Sequence, residues 1–202
     1  MPYVGASERT RQSVSAARAV MARDGVVGTT MRAVAAEAGV PLGTLQYVFP
    51  TKEQLLKAVI EDVVDEIAVL LVESLPTEGG LAHAIREGMG AFWSTLVADQ
   101  VQLQIMQGEL LNYSLRKTGQ EYLAQWQYDR YRRVLAAWCE RAAIAAGETT
   151  GVPFDQLARV LLAAIDGLIL QYVCEPDDGR ATADLAVVID MVITAARVQK
   201  AR

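Results

Sequence analysis

The chain has 202 residues, 52% hydrophobic and 21% charged, with 19 basic against 24 acidic side chains and a net charge of −5. This composition belongs to a globular chain of one or two domains with a sizeable core, and excludes a disordered one. An acidic chain is a poor general ligand for nucleic acid, yet its charge is uneven: residues 1–57 carry +3 and the remainder −8, a basic head on an acidic body.

In chain order, the opening MPYVGASERTR has no apolar stretch of signal-peptide kind. Apolar spacing and breakers then predict helices near 8–24, 31–38, 42–49, 52–75, 80–98, 100–116, 119–146, 154–175 and 181–199, with no strand pattern. Gly25 is placed to end the first helix and Gly39 the second. Thr29 or Thr30 is placed to cap the second, and Thr51 with Gln54 to form a capping box for the fourth. Glu78 to Gly80 and Gly147 to Pro153 read as loops, and Asp177 to Gly179 as a turn. The runs LLAAIDGLILQYV and LAVVIDMVITAA are interrupted by Asp166, Gly167 and Asp190, too soon for a membrane span, so a cytoplasmic protein without a membrane partner is expected. Cys139 and Cys174 are too few and too far apart for a disulfide framework and read as buried thiols.

The segment TTMRAVAAEAGVPLGTLQYVF carries the most information. Met31, Val34, Ala35 and Ala38 share one helical face, a turn of Gly39-Val40-Pro41 follows, and a second short helix runs to Phe49 before Pro50 stops it. Two short helices about a glycine-containing turn form the helix-turn-helix pattern, whose second helix enters the major groove. At about 100° per residue, Leu45, Val48 and Phe49 of that helix point to one side and Gly43, Thr44, Gln46 and Tyr47 to the others. The small Gly43 and Thr44 let the helix start approach the duplex. Gln46 can offer its amide to a base edge, adenine above all, and Tyr47 its hydroxyl to a phosphate. Lys52 stands at the mouth of the next helix, where a phosphate is favoured, and Arg9 and Arg11 can reach a neighbouring phosphate or the minor groove.

Residues 30–56 resemble the DNA-binding segment of the tetracycline-repressor (TetR) family of transcriptional regulators. The family run is similar to T-x-R-x-[IVL]-A-x-x-A-G-V-x-x-G-[TA]-L-Y-x-[HY]-F-x-x-K-x-x-L-L. Thr30, Arg32, Val34, Ala35, Ala38, Gly39, Val40, Gly43, Thr44, Leu45, Phe49, Lys52, Leu55 and Leu56 fit it. Gln46 departs from the usual aromatic and Val48 from the frequent histidine. The resemblance implies an all-α chain: a three-helix DNA-binding head at 1–57 and a helical ligand-binding and dimerisation body at 58–202. It implies DNA contacts from Thr30, Arg32, Leu42, Gly43, Thr44, Gln46, Tyr47 and Lys52, and a homodimer formed by the last two helices.

That dimer also follows from the pattern. The helices near 154–175 and 181–199 are apolar nearly all round and need burial on every side, which a second copy supplies as a four-helix interface. The helices between hold large soft side chains with amides interleaved, the lining a small, mostly hydrophobic effector needs. Met89, Trp93, Met106, Gln107, Tyr113 and Trp126 are the residues expected there. The reading is therefore a repressor that binds a palindromic operator as a homodimer and is released by such an effector. A helical carrier protein without specific DNA binding is the alternative. His83 is the one histidine, there is no zinc spacing and no glycine-rich phosphate loop, so no enzyme, metal site or cofactor is expected.

Overall fold

The computed structural model describes residues 6–73, 79–119 and 121–200. They form nine α-helices, one π-helical turn and a two-residue antiparallel ladder. The chain divides into two compact units, Met1–Asp65 with Ile105–Gln127, and Glu66–Gln104 with Tyr128–Arg202. This division does not follow the sequence boundary at 57/58. Segment 105–127 packs with the first helices, and no linear pattern announces that a later segment returns to the head.

The first unit is built on α1 (Ala6–Gly28), α2 (Met31–Glu37) and α3 (Leu42–Val48), each of which packs on the other two. In α1 the helical ladder breaks at Gly25, whose φ of 74° suits glycine, and one further turn runs to Gly28. The backbone N–H and the hydroxyl of Thr29 both donate to the Gly25 carbonyl, at 3.1 and 2.8 Å. Thr30, not Thr29, caps α2, accepting the Ala33 N–H at 3.1 Å. At the other end Gly39, with φ 65°, gives its N–H to Ala36, while the Val40 N–H reaches the Ala35 carbonyl. This is the double bond of a Schellman ending, and it fixes the turn between the two short helices. Neither helix is long enough to persist alone. The buried Val34, Ala35, Leu45 and Phe49 hold them against Ala17, Val20 and Met21 of α1. A side-chain bond from Gln12 to the Ala38 carbonyl (2.8 Å) ties α1 to the end of α2.

Next come α4 (Lys52–Glu73) and, later in the chain, α6 (Val101–Arg116) and α7 (Glu121–Ala145). The Gln54 N–H donates to Thr51 Oγ1 at 3.2 Å, as the capping motif predicts. Leu55, Leu56, Val59 and Ile60 of α4 are buried, as are Met106, Leu110, Leu123 and Ala124 from the returning segment. Arg18 pairs with Asp62 at 2.6 Å, joining α1 to α4. Residues 74 and 75 of the expected fourth helix, Glu78 of the expected loop, residue 120 of the expected 119–146 helix and the opening five residues lie outside the described ones.

The second unit contains α5 (Gly80–Phe92), the π turn (Trp93–Ala98), the rest of α7, α8 (Phe154–Cys174) and α9 (Asp178–Ala196). One cluster runs through it, from Leu81 and Ile85 through Trp93, Trp138 and Cys139 to Leu161, Ile165, Leu185 and Ile189. The helix expected over 80–98 changes winding at Trp93, and the Leu96 carbonyl inside the π turn accepts the buried Gln104 amide. Gly88 faces the indole of Trp138: a Cβ there would meet Cζ2 at 2.4 Å. The expected Asp177–Gly179 turn is the cap and first turn of α9, since Asp177 accepts the Arg180 N–H at 2.9 Å.

Two further readings are corrected. The 147–153 loop contains strand β1 (Glu148–Thr149), which pairs with β2 (Gln199–Lys200). Glu148 also accepts the Leu81 N–H at 2.8 Å, capping α5 from across the fold. Of the two thiols only Cys139 is buried; Cys174 is exposed at the end of α8. By length and composition alone α8 is apolar enough to cross a membrane, a property that the core helix of a folded domain shares. Its core face carries Leu157, Leu161, Ile165 and Tyr172, and Val160 and Leu170 point outward.

Candidate nucleic-acid interface and effector residues

The recognition surface is defined by what α3 leaves out of the core. Leu45 is fully buried and Phe49 nearly so, and these anchors turn Gly43, Gln46 and Tyr47 to solvent. Tyr47 is 85% exposed, an aromatic ring that packing does not explain. Leu42 and Thr44 are half-buried beside them. Thr30 and Arg32 at the start of α2 are exposed. A Cβ on Gly43 would touch nothing within 4 Å, so packing does not require a glycine there.

The remaining cations differ in their freedom. Arg11 is exposed and pairs with Glu8 at 2.5 Å, an exposed bond of about 0–1 kcal/mol that a phosphate can displace. Arg9 is half-buried. Lys52 is turned into its own unit: its ammonium donates to the Val26 carbonyl at 2.9 Å and lies 5.1 Å from the Tyr113 ring centre. Burial, and secondarily Lys117, lower its pKa from the ordinary lysine value, against the opposing effect of Tyr113. The mouth of α4 therefore offers a phosphate its backbone N–H groups first, with Lys52 behind them.

The six residues expected around an effector fall in both units. Met89 and Trp93 are buried in the second, where Trp93 meets Tyr172 edge to face at 5.6 Å. Met106 is buried and Gln107, Tyr113 and Trp126 are half-buried in the first. Lysines lie over two of those rings: Lys52 and Lys117 over Tyr113, and Lys57 over Trp126 at 5.4 Å. Sequence reasoning treated these aromatics as effector lining and missed the lysine contacts: Lys52 and Lys57 lie far along the chain from their rings and give no local signal, while Lys117, four positions after Tyr113, was within reach of a helical-spacing argument. It also missed the pairing of Tyr128 with Asp166, whose carboxylate accepts the phenol O–H at 2.8 Å. Burial raises the pKa of both groups.

A tight two-helix corner with an exposed, polar recognition face and an unpartnered tyrosine is the geometry of a major-groove reader. Residues 14–59 match the family profile of bacterial regulatory proteins of the tetR family, and residues 81–195 match that of the BetI-type transcriptional repressor C-terminal region. The chain belongs to the TetR family. It is a DNA-binding transcriptional repressor with the all-α architecture that family has. It is 28% identical over 180 residues to the HTH-type nicotine-responsive transcriptional repressor HdnoR of Paenarthrobacter nicotinovorans, covering 86% of this chain and 88% of that one. A transcriptional regulator from Rhodococcus sp. Rha1 superposes with a TM-score of 0.72 at 22% identity, covering 93% and 97% of the two chains. The multidrug binding protein EbrR in complex with malachite green superposes at 0.63 and 25% identity, covering 94% and 98%.

Proposed function

We propose that this TetR-family repressor reads a two-fold symmetric operator as a homodimer and is released by a small, mostly hydrophobic effector. The observation that carries the reading is α3, where Leu45 and Phe49 fix the helix and Gln46 and Tyr47 stand free at its outer face. Gln46 is the base reader, Tyr47 a phosphate or base-edge contact, and Thr30, Arg32, Leu42, Gly43 and Thr44 line the same approach. Arg9 and Arg11 serve the backbone from α1, and Lys52 supports the mouth of α4. One such helix reads few base pairs, so a second copy is needed for a useful specificity ratio.

The homodimer is supported by outward apolar side chains on the last two helices, Val160 and Leu170 of α8 with Val187 and Met191 of α9. Leu170, Val187 and Met191 are each more than half exposed in the single chain, and pairing with a copy would cover them. The named relatives respond to nicotine or bind a dye, both ring-containing nitrogen compounds, which fits an effector held by Met89, Trp93 and their aromatic neighbours. Release works as a population shift: the effector must bind a head spacing other than the roughly 34–36 Å of one duplex turn.

The test is a titration of the full chain against the duplex upstream of its own gene and against a randomised pool, at two salt concentrations. Gln46→Ala is expected to relax base preference, and Tyr47→Phe to weaken binding, with the fold unchanged because both side chains are exposed. Failure of the randomised pool to enrich any sequence would overturn the reading. Leu170→Glu with Met191→Glu is expected to yield monomers in light scattering; a dimer that survives both would remove the interface from α8 and α9.

A further inference from the structure

The first unit contains a cavity of about 630 Å³ between the end of α1 and the second half of α6. We propose that it is a small-molecule site apart from Met89 and Trp93 of the second unit, one that takes in Tyr113 of the expected effector set, for a ligand bearing a carboxylate or phosphate group. The inference stands apart from the operator reading and does not depend on it.

The size is within the range of about 300–1,000 Å³ that small-molecule sites occupy. Its chemistry follows from which lining groups are already engaged. Two carboxylates line it and both have partners. Asp24 is held by the Arg23 guanidinium at 3.0 and 3.1 Å, and Glu109 accepts the Val26 N–H at 2.9 Å. Glu109 reaches that N–H because residue 25 is glycine: a Cβ there would stand 3.0 Å from its Oε2.

The donors still have capacity. Lys117 gives one ammonium hydrogen to the Tyr113 oxygen at 2.8 Å, which leaves two more and frees the phenol's own proton. Arg116 makes no ion pair among the described residues, nor do Lys117 and Lys52. Two of these ammonium groups lie over a single ring, Lys52 at 5.1 and Lys117 at 5.3 Å from the Tyr113 centre. Lys52 and Lys117 thus meet at one ring and Arg116 lines the same cavity, none of them in an ion pair among the described residues, while of the two lining carboxylates Asp24 is taken up by Arg23 and Glu109 by a backbone N–H. The proximity of Lys117 adds to the burial that lowers the Lys52 pKa. A bound oxyanion relieves that repulsion, and the flat guanidinium of Arg116 can grip it with two parallel bonds. The C-terminal dipole of α6 opposes an anion, but over one turn only and with about half a charge. Val27, 81% exposed at the rim, offers an apolar surface to the rest of the ligand.

Duplex phosphates have the same chemistry, so the experiment must separate the two sources. Calorimetric titration of the full chain without DNA, at low ionic strength, uses phthalate and inorganic pyrophosphate as probes. One saturable site per chain is expected. Arg116→Gln with Lys117→Gln should weaken it by about tenfold or more, Val27→Trp should block phthalate by filling the rim, and Asp24→Asn should tighten both probes. All these positions are exposed, and unchanged circular dichroism verifies the fold. No saturation at millimolar probe, or equal binding by the double variant, overturns the proposal. So does a double variant whose duplex salt slope falls by about two contacts while the wild type binds neither probe, for then the cations serve the DNA backbone.

Discussion

Gly88 and Gly90 stand two positions apart on α5, and replacing each by alanine should move stability in opposite directions. At Gly88 an added Cβ would fall 2.4 Å from Cζ2 and 2.8 Å from Cη2 of Trp138, an indole with no solvent exposure. Those atoms belong to a rigid ring inside a packed cluster, so relief requires a shift of the helix or of the tryptophan. Overpacking of this kind costs about 1–3 kcal/mol, and the better helix propensity of alanine returns about 0.5–1 kcal/mol, leaving a net loss of about 1 kcal/mol at mid-range and about 2.5 kcal/mol at most. In a chain of this size that lowers the thermal midpoint by about 2–8 °C. At Gly90 nothing lies within 4 Å and the position is exposed, so only the propensity gain remains, and the midpoint should rise by a few degrees. Calorimetric melting at one fixed chain concentration makes the comparison, since any self-association would tie stability to concentration. Trp138→Phe completes a cycle. The indole N–H is buried with no partner among the described residues, so the exchange forfeits no hydrogen bond seen there while it removes the opposing edge. The pair should couple by about 0.5–3 kcal/mol, with Gly88→Ala better tolerated on the phenylalanine background. A Gly88→Ala chain at least as stable as wild type, or a strictly additive double variant, would refute the contact as the cause.

Further outcomes follow from the same geometry. Thr30→Ala removes the acceptor for the Ala33 N–H and should cost about 1 kcal/mol in chemical denaturation, with weaker duplex binding because α2 sets the angle of α3. Burial holds the Asp166 carboxyl above its ordinary value of 3.8, so the native state binds its proton more readily than the unfolded chain. That contribution is complete below the unfolded value and is lost as pH rises through the folded one. Asp166→Asn should therefore raise the melting midpoint relative to wild type at neutral pH, and the gain should shrink toward pH 4; an equal gain at both pH values would contradict it. Cys139 is buried, and its thiol is pushed up to about 12, so a maleimide should leave it unlabelled until the chain unfolds.

The parts legible in the sequence were those governed by short-range rules. The turn at Gly39 follows from the need for a left-handed residue after a helix, the cap at Thr30 from a hydroxyl before an apolar run, and the anchors Leu45 and Phe49 from their spacing. The recognition face emerged as their complement. What stayed hidden depends on partners far along the chain. The contacts of Lys52 with Tyr113 and the Val26 carbonyl could not be read from its place at the mouth of a helix. Glu148 looks like a loop residue until it meets the first turn of α5. The π turn at Trp93 stays hidden because its buried residues, Trp93, Leu96 and Val97, are spaced as an α-helix would also space them.

The seven residues of α3 divide sharply between those the fold needs and those it ignores. Exchanging Gly43, Gln46 or Tyr47 removes no core contact, so a lineage could sample new operator sequences at little risk to the folded state. Leu45 within the helix and Phe49 just past its end have no such latitude, since losing either would release the helix as a whole. On the proposed reading, a change of operator can therefore be gradual, one outward side chain at a time, over a buried scaffold that tolerates little change.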